Sequence, residues 1–545
     1  MSKIFANMST NEPDTNQPEE VSNKRKGGIV EGGDSEDSSK KRSRLKNQSG
    51  TSRFPLSDSD SNESKIFNDA IHGTITVTGL CVKIIDCPQF QRLRYLKQLG
   101  GVYFVYPGAA HNRFEHSIGT YYLAGKFARI LKQKHPEQFE EGDIECIEIA
   151  GLCHDLGHGP FSHVFDKMFI PRVRTDIKWK HEDASVKMLE HLRQANDQVM
   201  KAFEEFDTDG TRLELIKDLI LGGKETEHVK DELVQQKRKK RFLYEIVANA
   251  QTGIDVDKWD YFARDCHMLG IKNNFDHDRY MELARIIDVE GEGPRICARD
   301  KEENNLYDMF HTRLTLHRRA YHHEVTRGVE LMIVDALVKA NATVRILGQN
   351  RYRKISECIE DMEAYSKLND SILQLVELPI TLGTSPQETD SGTLEAREII
   401  GRIWKRDLYK CVGQYNLSAA DPFTQDDIPG IKEEILHAEK ETTFDGEQFD
   451  IILKSFDYGQ KKDDPITKVW FYNKSNPEKA FTQPEEQKSW MLPKRFQERE
   501  IAIYSKKKEF EEDIAKRFRL WSNARKEKFP EIKEQMTQMP EASNQ

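Results

Sequence analysis

The chain has 545 residues, of which 37% are apolar and 32% charged, and 82 basic against 92 acidic side chains leave a net charge of −10. That balance excludes a general polyanion binder, so any nucleotide or nucleic-acid affinity has to come from a local basic patch. No apolar run reaches the ~18 residues of a membrane span, the N-terminus lacks a signal-peptide core, and eight scattered cysteines without a CxxC pair argue against a zinc knuckle or a disulfide framework. A soluble protein of a reducing compartment is expected.

Residues 1–64 read as a disordered tail rich in Ser, Asn, Asp, Glu, Lys and Gly, with Phe5 and Phe54 as the only aromatics. Such a segment buries too little apolar surface to offset its ordering entropy. Two tight basic clusters, Lys24-Arg25-Lys26 and Lys40-Lys41-Arg42-Ser43-Arg44-Leu45-Lys46, suit nuclear import, and a nuclear location is expected. From Lys65 the apolar residues become periodic. Helices are predicted over Gly119–Lys132, Ile144–Cys153, Arg241–Ala250, Asp255–Cys266 and Leu306–Ala340. Thr381–Leu394 is polar and reads as a loop. Gln448–Phe456 and Ile466–Tyr472 read as strands, Phe510–Lys528 as an amphipathic helix, and residues 530–545 as a polar tail. The expected architecture is mainly α: a helical catalytic body over 65–375 and a smaller mixed α/β lobe over 376–529.

The chemistry concentrates in four strings. Leu152–His163 carries His154, Asp155, His158 and His163, punctuated by Gly157 and Gly159. Imidazole beside a hard carboxylate suits Fe, Mn, Zn or Mg rather than a soft metal. His111–Ser117 places His116 ahead of a predicted helix. In Asp255–Asp265, Asp257, Tyr261 and Asp265 recur at i, i+4 and i+8 and so share one helix face, with Lys258 beside the stripe. In Arg313–His323, Arg313, His317 and Tyr321 repeat that spacing; Arg on a helix is either a phosphate clamp or a solubilising surface group.

The order His116, His154-Asp155, Asp257 resembles the signature of the HD metal-dependent phosphohydrolases. The longer strings Asp86–Arg94, His111–Ser117, His154–His163, Gly253–Asp265 and His311–Tyr321 are similar to the sterile-alpha-motif and HD-domain family of eukaryotic dNTP triphosphohydrolases. The similarity covers about 65–525. The tail ahead of it is too short and polar for a sterile-alpha-motif bundle, so a homologue without that domain is expected. The resemblance implies hydrolysis of a dNTP to deoxynucleoside and triphosphate. It implies a divalent metal (Fe, Zn or Mn) on His116, His154, Asp155 and Asp257, with Mg²⁺ accompanying the nucleotide. His163 is the implied general acid, supported by Asp166 and His181, with His158 at the α-phosphate or behind it. Arg113, Lys258, Tyr261 and Arg313 match triphosphate contacts. Gln98 and Asp265 match sugar contacts with Leu99 alongside, Tyr321 excludes a 2′-hydroxyl, and His322 stands beside the base where relatives carry glutamine.

The same resemblance implies two activator sites in a homotetramer. The first, for GTP or dGTP, would use Lys65, Asp86, Gln91 and Arg94, with Arg406 and Lys410 from a partner subunit. The second, for a dNTP, would use Asn68, Val105, Tyr106, Arg279, Arg299, Lys301, Asn305, Arg319, His323 and Lys506. Glu324 departs from the family's lysine there, and Leu283 from an aromatic. Regulation of dNTP pools, and through it antiviral restriction, would follow. Two other readings stay open: a different HD nucleotide phosphohydrolase, or a single-stranded nucleic-acid binder that keeps the HD body as a nucleotide sensor.

Overall fold

The computed structural model describes residues 63–223, 239–378, 391–439 and 444–530, apart from 485, 487 and 490. Both basic clusters and the two tails therefore lie outside the described residues, as does 381–390 of the expected loop.

A β-hairpin opens the described chain, β1 (Ser64–Asp69) pairing antiparallel with β2 (Gly73–Thr78) so that Asp69 faces Gly73. The body is then built on long helices. In α1 (Arg113–Lys134) the Asn112 N–H donates to the Glu115 carboxylate three residues on (3.2 Å), satisfying an amide at the helix start. Helix α2 (Asp143–Cys153) is apolar almost all round and accordingly buried, and Asp143 and Glu145 in its first turn complement the helix dipole. It ends at the buried His154-Asp155 pair. After α3 (His181–Gln194) comes α4 (Val256–Leu269), capped by the Asp255 carboxylate on the Lys258 amide (3.1 Å) and stopped by Gly270 at φ 66°. A second hairpin, β3 (Arg285–Val289) and β4 (Gly293–Arg299), leads to α5 (Glu303–Leu316) and α6 (Glu324–Ala340). Helix α7 (Ser391–Trp404) buries Ala396, Ile400 and Ile403 in the same core as α6.

The smaller lobe is a three-stranded antiparallel sheet, β5 (Lys410–Leu417) and β6 (Phe449–Asp457) flanking β8 (Gln497–Ser505). A short β7 (Phe471–Tyr472) instead joins β4 in parallel. The run Ile501-Ala502-Ile503-Tyr504 in β8 shows why the central strand is apolar throughout. Ile501 and Ile503 face a local core with Ile514, Phe518 and Trp521 of α8 (Glu511–Lys528), whereas Ala502 and Tyr504 face the catalytic body. The molecule is thus mainly α with a smaller mixed lobe.

Four predicted elements differ. Ser391–Leu394, read as the end of a loop, forms the first turn of α7, where Thr393 is already buried. Arg241–Ala250 is a 3₁₀ turn over Arg241–Glu245 followed by loop, because the Asn249 side chain accepts the amides of Gln251 and Thr252 (both 3.1 Å) in place of helical bonds. Leu306–Ala340 is two helices: a π turn over His317–Tyr321, closed by the His322 amide on the His317 carbonyl (2.9 Å), breaks it. Of Ile466–Tyr472 only Phe471–Tyr472 is strand; Asp464 accepts the Ile466 amide (3.1 Å) and Pro465 starts a helical turn.

Candidate metal centre and active site

Three helices converge on one point. His116 comes from the first turns of α1, His154 and Asp155 from the end of α2, and Asp257 from the first turn of α4. The Nε2 atoms of His116 and His154 lie 3.2 Å apart, and Asp257 Oδ1 is 3.1 and 3.3 Å from them. Asp155 stands at 3.4 Å from His116 and 3.5 Å from His154. The opposite ring nitrogens fix the tautomers. His116 Nδ1–H donates to Asp260 (2.7 Å) and His154 Nδ1–H to the Gly151 carbonyl (2.8 Å), so both Nε2 atoms present lone pairs inward. Two lone pairs and two carboxylates facing one point call for a cation. The carboxylates favour positive charge at this point: burial lowers the His116 pKa, but Asp257, Asp260 and Asp155 outweigh it and push it up to about 10, so a bound cation takes the place of a proton on Nε2. Burial likewise raises Asp257, yet its bonds to His116 and His154 hold it well below the usual carboxylate range. These donors fit a divalent ion of the hard or borderline kind.

Arg113, matched above to triphosphate, is bonded to three groups of the chain itself. Its guanidinium donates to Asp155 (2.6 Å), the Ser162 hydroxyl (3.0 Å) and the Gln98 carbonyl (3.3 Å). It therefore ties the metal site to the loop that carries His163. In that loop Phe161 and Ser162 are left-handed, at φ 58° and 54°, a conformation that costs non-glycine residues about 1–3 kcal/mol each. Buried Asp370, absent from the sequence reading, accepts the Phe161 amide (2.6 Å) and helps hold the loop.

Next to the first cluster stands a second. The His158 and His181 rings stack at 4.0 Å, and His163 meets both edge-on at 5.1 and 5.3 Å. Asp166 binds His181 Nδ1 (2.8 Å) and His163 Nδ1 (3.3 Å), while His158 Nε2 reaches back to Asp155 (3.3 Å) and links the clusters. The cleft withholds a proton from His163: desolvation and the Lys167 ammonium pull it down to about 4, although half of its side chain is exposed (49%). His158, His317 and His322 are shifted down too, mainly by burial and then by neighbouring cations.

Those cations make a positively charged wall. Lys258 leans on Asp255 (2.8 Å), and Arg313 faces Asp457 of β6 at 3.6 Å. Lys167 and Arg327, which the sequence reading passed over, act on the same imidazoles. Burial pushes the Tyr261 hydroxyl up to about 12 against the pull of Arg313 and Lys258, so it stays a neutral hydrogen-bonding group. On the far side Tyr321 donates to Asp265, whose other oxygen is bonded by His111 (2.7 Å); the sequence reading quoted His111 without a role. Buried polar atoms without a partner collect here among the described residues: Gln98 Oε1, His158 Nδ1, Arg313 Nε, His317 Nδ1 and His322 Nδ1. Groups left open in this way need something to bind. Leu99 is half-buried beside Gln98.

The expected activator residues fall into separate groups. Lys65 is paired with Asp86, and Arg94 donates to Gln91 (2.8 Å) while lying 3.5 Å over the Phe114 ring. Arg406 bonds the Phe104 carbonyl (2.8 Å), and Lys410 pairs with Glu511 (2.7 Å). Tyr106, beside Val105, bonds the Arg319 carbonyl (2.6 Å) and meets His323 edge-on at 6.1 Å. Arg279 and Asn305 both bind Glu302 (2.7 and 2.9 Å), and Arg299 lies 5.6 Å over the Tyr472 ring, close to Lys301. Asn68 sits on β1 opposite Thr74. Lys506 contacts none of them: its ammonium is held by Asp335 (2.6 Å) and Asp450 (3.1 Å) between the lobes. Glu324 accepts from Gln414 (2.8 Å).

Comparison with known proteins follows the same lines. The model of the HD domain matches residues 113–263, which contain all four converging ligands. The chain is 48% identical over 459 residues to the deoxynucleoside triphosphate triphosphohydrolase SAMHD1 of Gallus gallus, covering 82% of this chain and 72% of the relative. It is 48% identical over 454 residues to that of Homo sapiens (81% and 70%), and 36% over 465 residues to the SAMHD1 homolog of Dictyostelium discoideum (84% and 80%). With the converging His and Asp ligands, the cationic wall and this extent of identity, the chain belongs to the HD-domain family of deoxynucleoside triphosphate triphosphohydrolases.

Proposed function

We propose that this protein hydrolyses dNTPs to deoxynucleoside and triphosphate at the His116/His154/Asp155/Asp257 centre. The observation that carries the reading is the pair of inward-facing Nε2 atoms, each ring's Nδ1 bonded on its far side, beside a wall of cations lined with unpartnered polar atoms. A divalent ion held by these four residues supplies Lewis-acid polarisation of the α-phosphate and a more acidic water. Fe, Zn and Mn all suit the donor set, with Mg²⁺ on the nucleotide.

The chain's own residues do the rest. Lys258, Tyr261 and Arg313 hold the triphosphate, and Arg313 exchanges Asp457 for phosphate oxygens. Water oxygen bonds to the α-phosphorus as the bond to the 5′-oxygen breaks. That oxygen leaves as a poor alkoxide unless it is protonated, and His163 delivers the proton. Its low pKa suits a proton that is easily given up, and the arriving polyanion raises it enough to be loaded. Asp166 orients the imidazole and stabilises its cationic form, with His181 fixed on the same carboxylate. Asp265, Gln98 and Leu99 meet the sugar, and Tyr321, latched to Asp265, closes the space at C2′. His322 flanks the base.

Activation belongs to the same proposal: GTP or dGTP at Lys65, Asp86, Gln91 and Arg94, a dNTP near Asn68, Tyr106, Arg299 and His323, and a homotetramer stabilised by ligands that bind only the assembled state. A nuclear dNTP-lowering role follows, and with it limitation of viral DNA synthesis. The test is ³¹P NMR of dATP incubated with enzyme and Mg²⁺, with and without GTP, beside Asp155→Asn. Triphosphate as the phosphorus product, lost in the variant, is expected; orthophosphate or no turnover under any metal or guanine nucleotide overturns the proposal.

A further inference from the structure

The metal centre is wired to the N-terminal hairpin. Asp260 is fully buried and its two oxygens take four donors: His116 Nδ1 (2.7 Å) and Arg264 Nε (2.9 Å) on Oδ2, His72 Nε2 (2.7 Å) and Arg264 Nη2 (2.9 Å) on Oδ1. His72 lies in the turn between β1 and β2. The same turn is pinned by Asp69, whose Oδ1 accepts the amides of Ile71 and His72 (both 2.9 Å). Asp69 Oδ2 in turn accepts from Arg264 Nη1 (2.9 Å). The side chains of His72, Arg264 and Asp69 are 4%, 3% and 6% exposed, so solvent does not dilute the circuit. Room for it exists only because residue 119 is glycine: a Cβ there would lie 1.9 Å from Asp260 Oδ1.

We infer that the β1–β2 turn is a working part of the metal site, with His72 a positioning residue that holds Asp260 against His116. The physical reason is geometric. Asp260 sets the His116 tautomer, and therefore the lone pair on Nε2, only while its carboxylate plane is fixed; His72 and Arg264 are the two groups that fix it. Losing such a supporting hydrogen bond typically costs 10- to 100-fold in metal affinity. Coupling is reciprocal, so metal bound at His116 must also steady the turn. Lys65 and Asn68 stand on this hairpin, which makes the circuit a route by which ligands there sense the metal. The inference rests on His116 being a metal ligand.

The test measures the Mn²⁺ dissociation constant of the full chain by competition with a fluorescent chelator, for wild type, His72→Ala, His72→Gln and Asp69→Asn. Melting temperatures and amide exchange at Ile71 and His72, with and without Mn²⁺, accompany it. Expected are a 10- to 100-fold weaker constant for His72→Ala, partial rescue by the amide donor of His72→Gln, and Mn²⁺-dependent protection of the turn amides in wild type that His72→Ala loses. Asp69→Asn, which opens no cavity, should weaken Mn²⁺ in the same direction. A lower melting temperature with a dissociation constant within twofold of wild type would reduce the hairpin to scaffold and overturn the inference. Failure of wild type to bind Mn²⁺ or any divalent ion would instead overturn the metal-site reading beneath it.

Discussion

His116 and His154 point their Nε2 atoms at each other across 3.2 Å, with each ring's proton committed on the far side to Asp260 or the Gly151 carbonyl. With Asp155 and Asp257 beside them, these two nitrogens face a point that favours positive charge. Metal removal is therefore expected to abolish turnover and lower the melting temperature together. At a free-metal concentration 100 times its dissociation constant the ion contributes about 2.7 kcal/mol of stability. Thermal denaturation before and after chelation, and after adding back Mn²⁺, Fe²⁺ or Zn²⁺, measures it.

Replacing the proposed acid isolates the proton-transfer step. His163→Ala should reduce kcat by about 10²–10⁴ and leave metal content unchanged. A fall in metal content would place His163 with the ligands instead.

The lowered histidines give a pH signature of folding. His163, at about 4 in the folded chain, is neutral where an unfolded imidazole near 6.5 takes up a proton. Unfolding therefore binds protons between those values, and stability rises with pH across that window and is lost as pH falls through it. His158, His317 and His322 are shifted the same way and add to the slope. Urea unfolding of metal-free protein from pH 4 to 7 should show the slope, and His163→Gln should flatten it.

Legibility from sequence followed chemistry. His154 and Asp155 were readable because so many histidines within ten residues have no bland explanation, His116 and Asp257 through the family resemblance, α2 as a continuous apolar run and α4 from its one-sided apolar spacing. The intramolecular partners of Arg113 were not legible: an arginine beside a metal-ligand string does not reveal that it also bonds Asp155 and Ser162. Asp260 and Asp370 were invisible, since a charged residue in a helix or a loop says nothing of the distant group it holds. The break at His317–Tyr321 was hidden because the apolar period runs on through the π turn. The carboxylates that hold Lys506, Asp335 and Asp450, were not legible, because a lysine's position in a motif does not reveal its ion-pair partners.

Asp457 pairs with Arg313 at 3.6 Å, so under the proposal it competes with the triphosphate. Asp457→Asn should lower KM for dATP by roughly 2- to 5-fold, the ~0.5–1 kcal/mol of a partly exposed ion pair, with kcat little changed. Arg313→Lys should raise KM, because a point charge cannot replace the planar fork. Steady-state kinetics of the two variants separates clamp from bystander.

Tyr321 donates to Asp265, and the proposed sugar pocket rests on that bond. Tyr321→Ala should bring ATP turnover closer to dATP turnover, while Tyr321→Phe, which keeps the ring and loses the bond to Asp265, should keep discrimination and lose rate. Parallel assays with dATP and ATP distinguish exclusion by bulk from selection by hydrogen bonding.

The most direct measurement is turnover of dATP in oxygen-18 water, with mass analysis of both products. Attack at the α-phosphorus with His163 protonating the departing 5′-oxygen predicts one labelled oxygen in triphosphate and none in deoxyadenosine. Label in deoxyadenosine, or in orthophosphate or pyrophosphate released instead of triphosphate, would contradict the account.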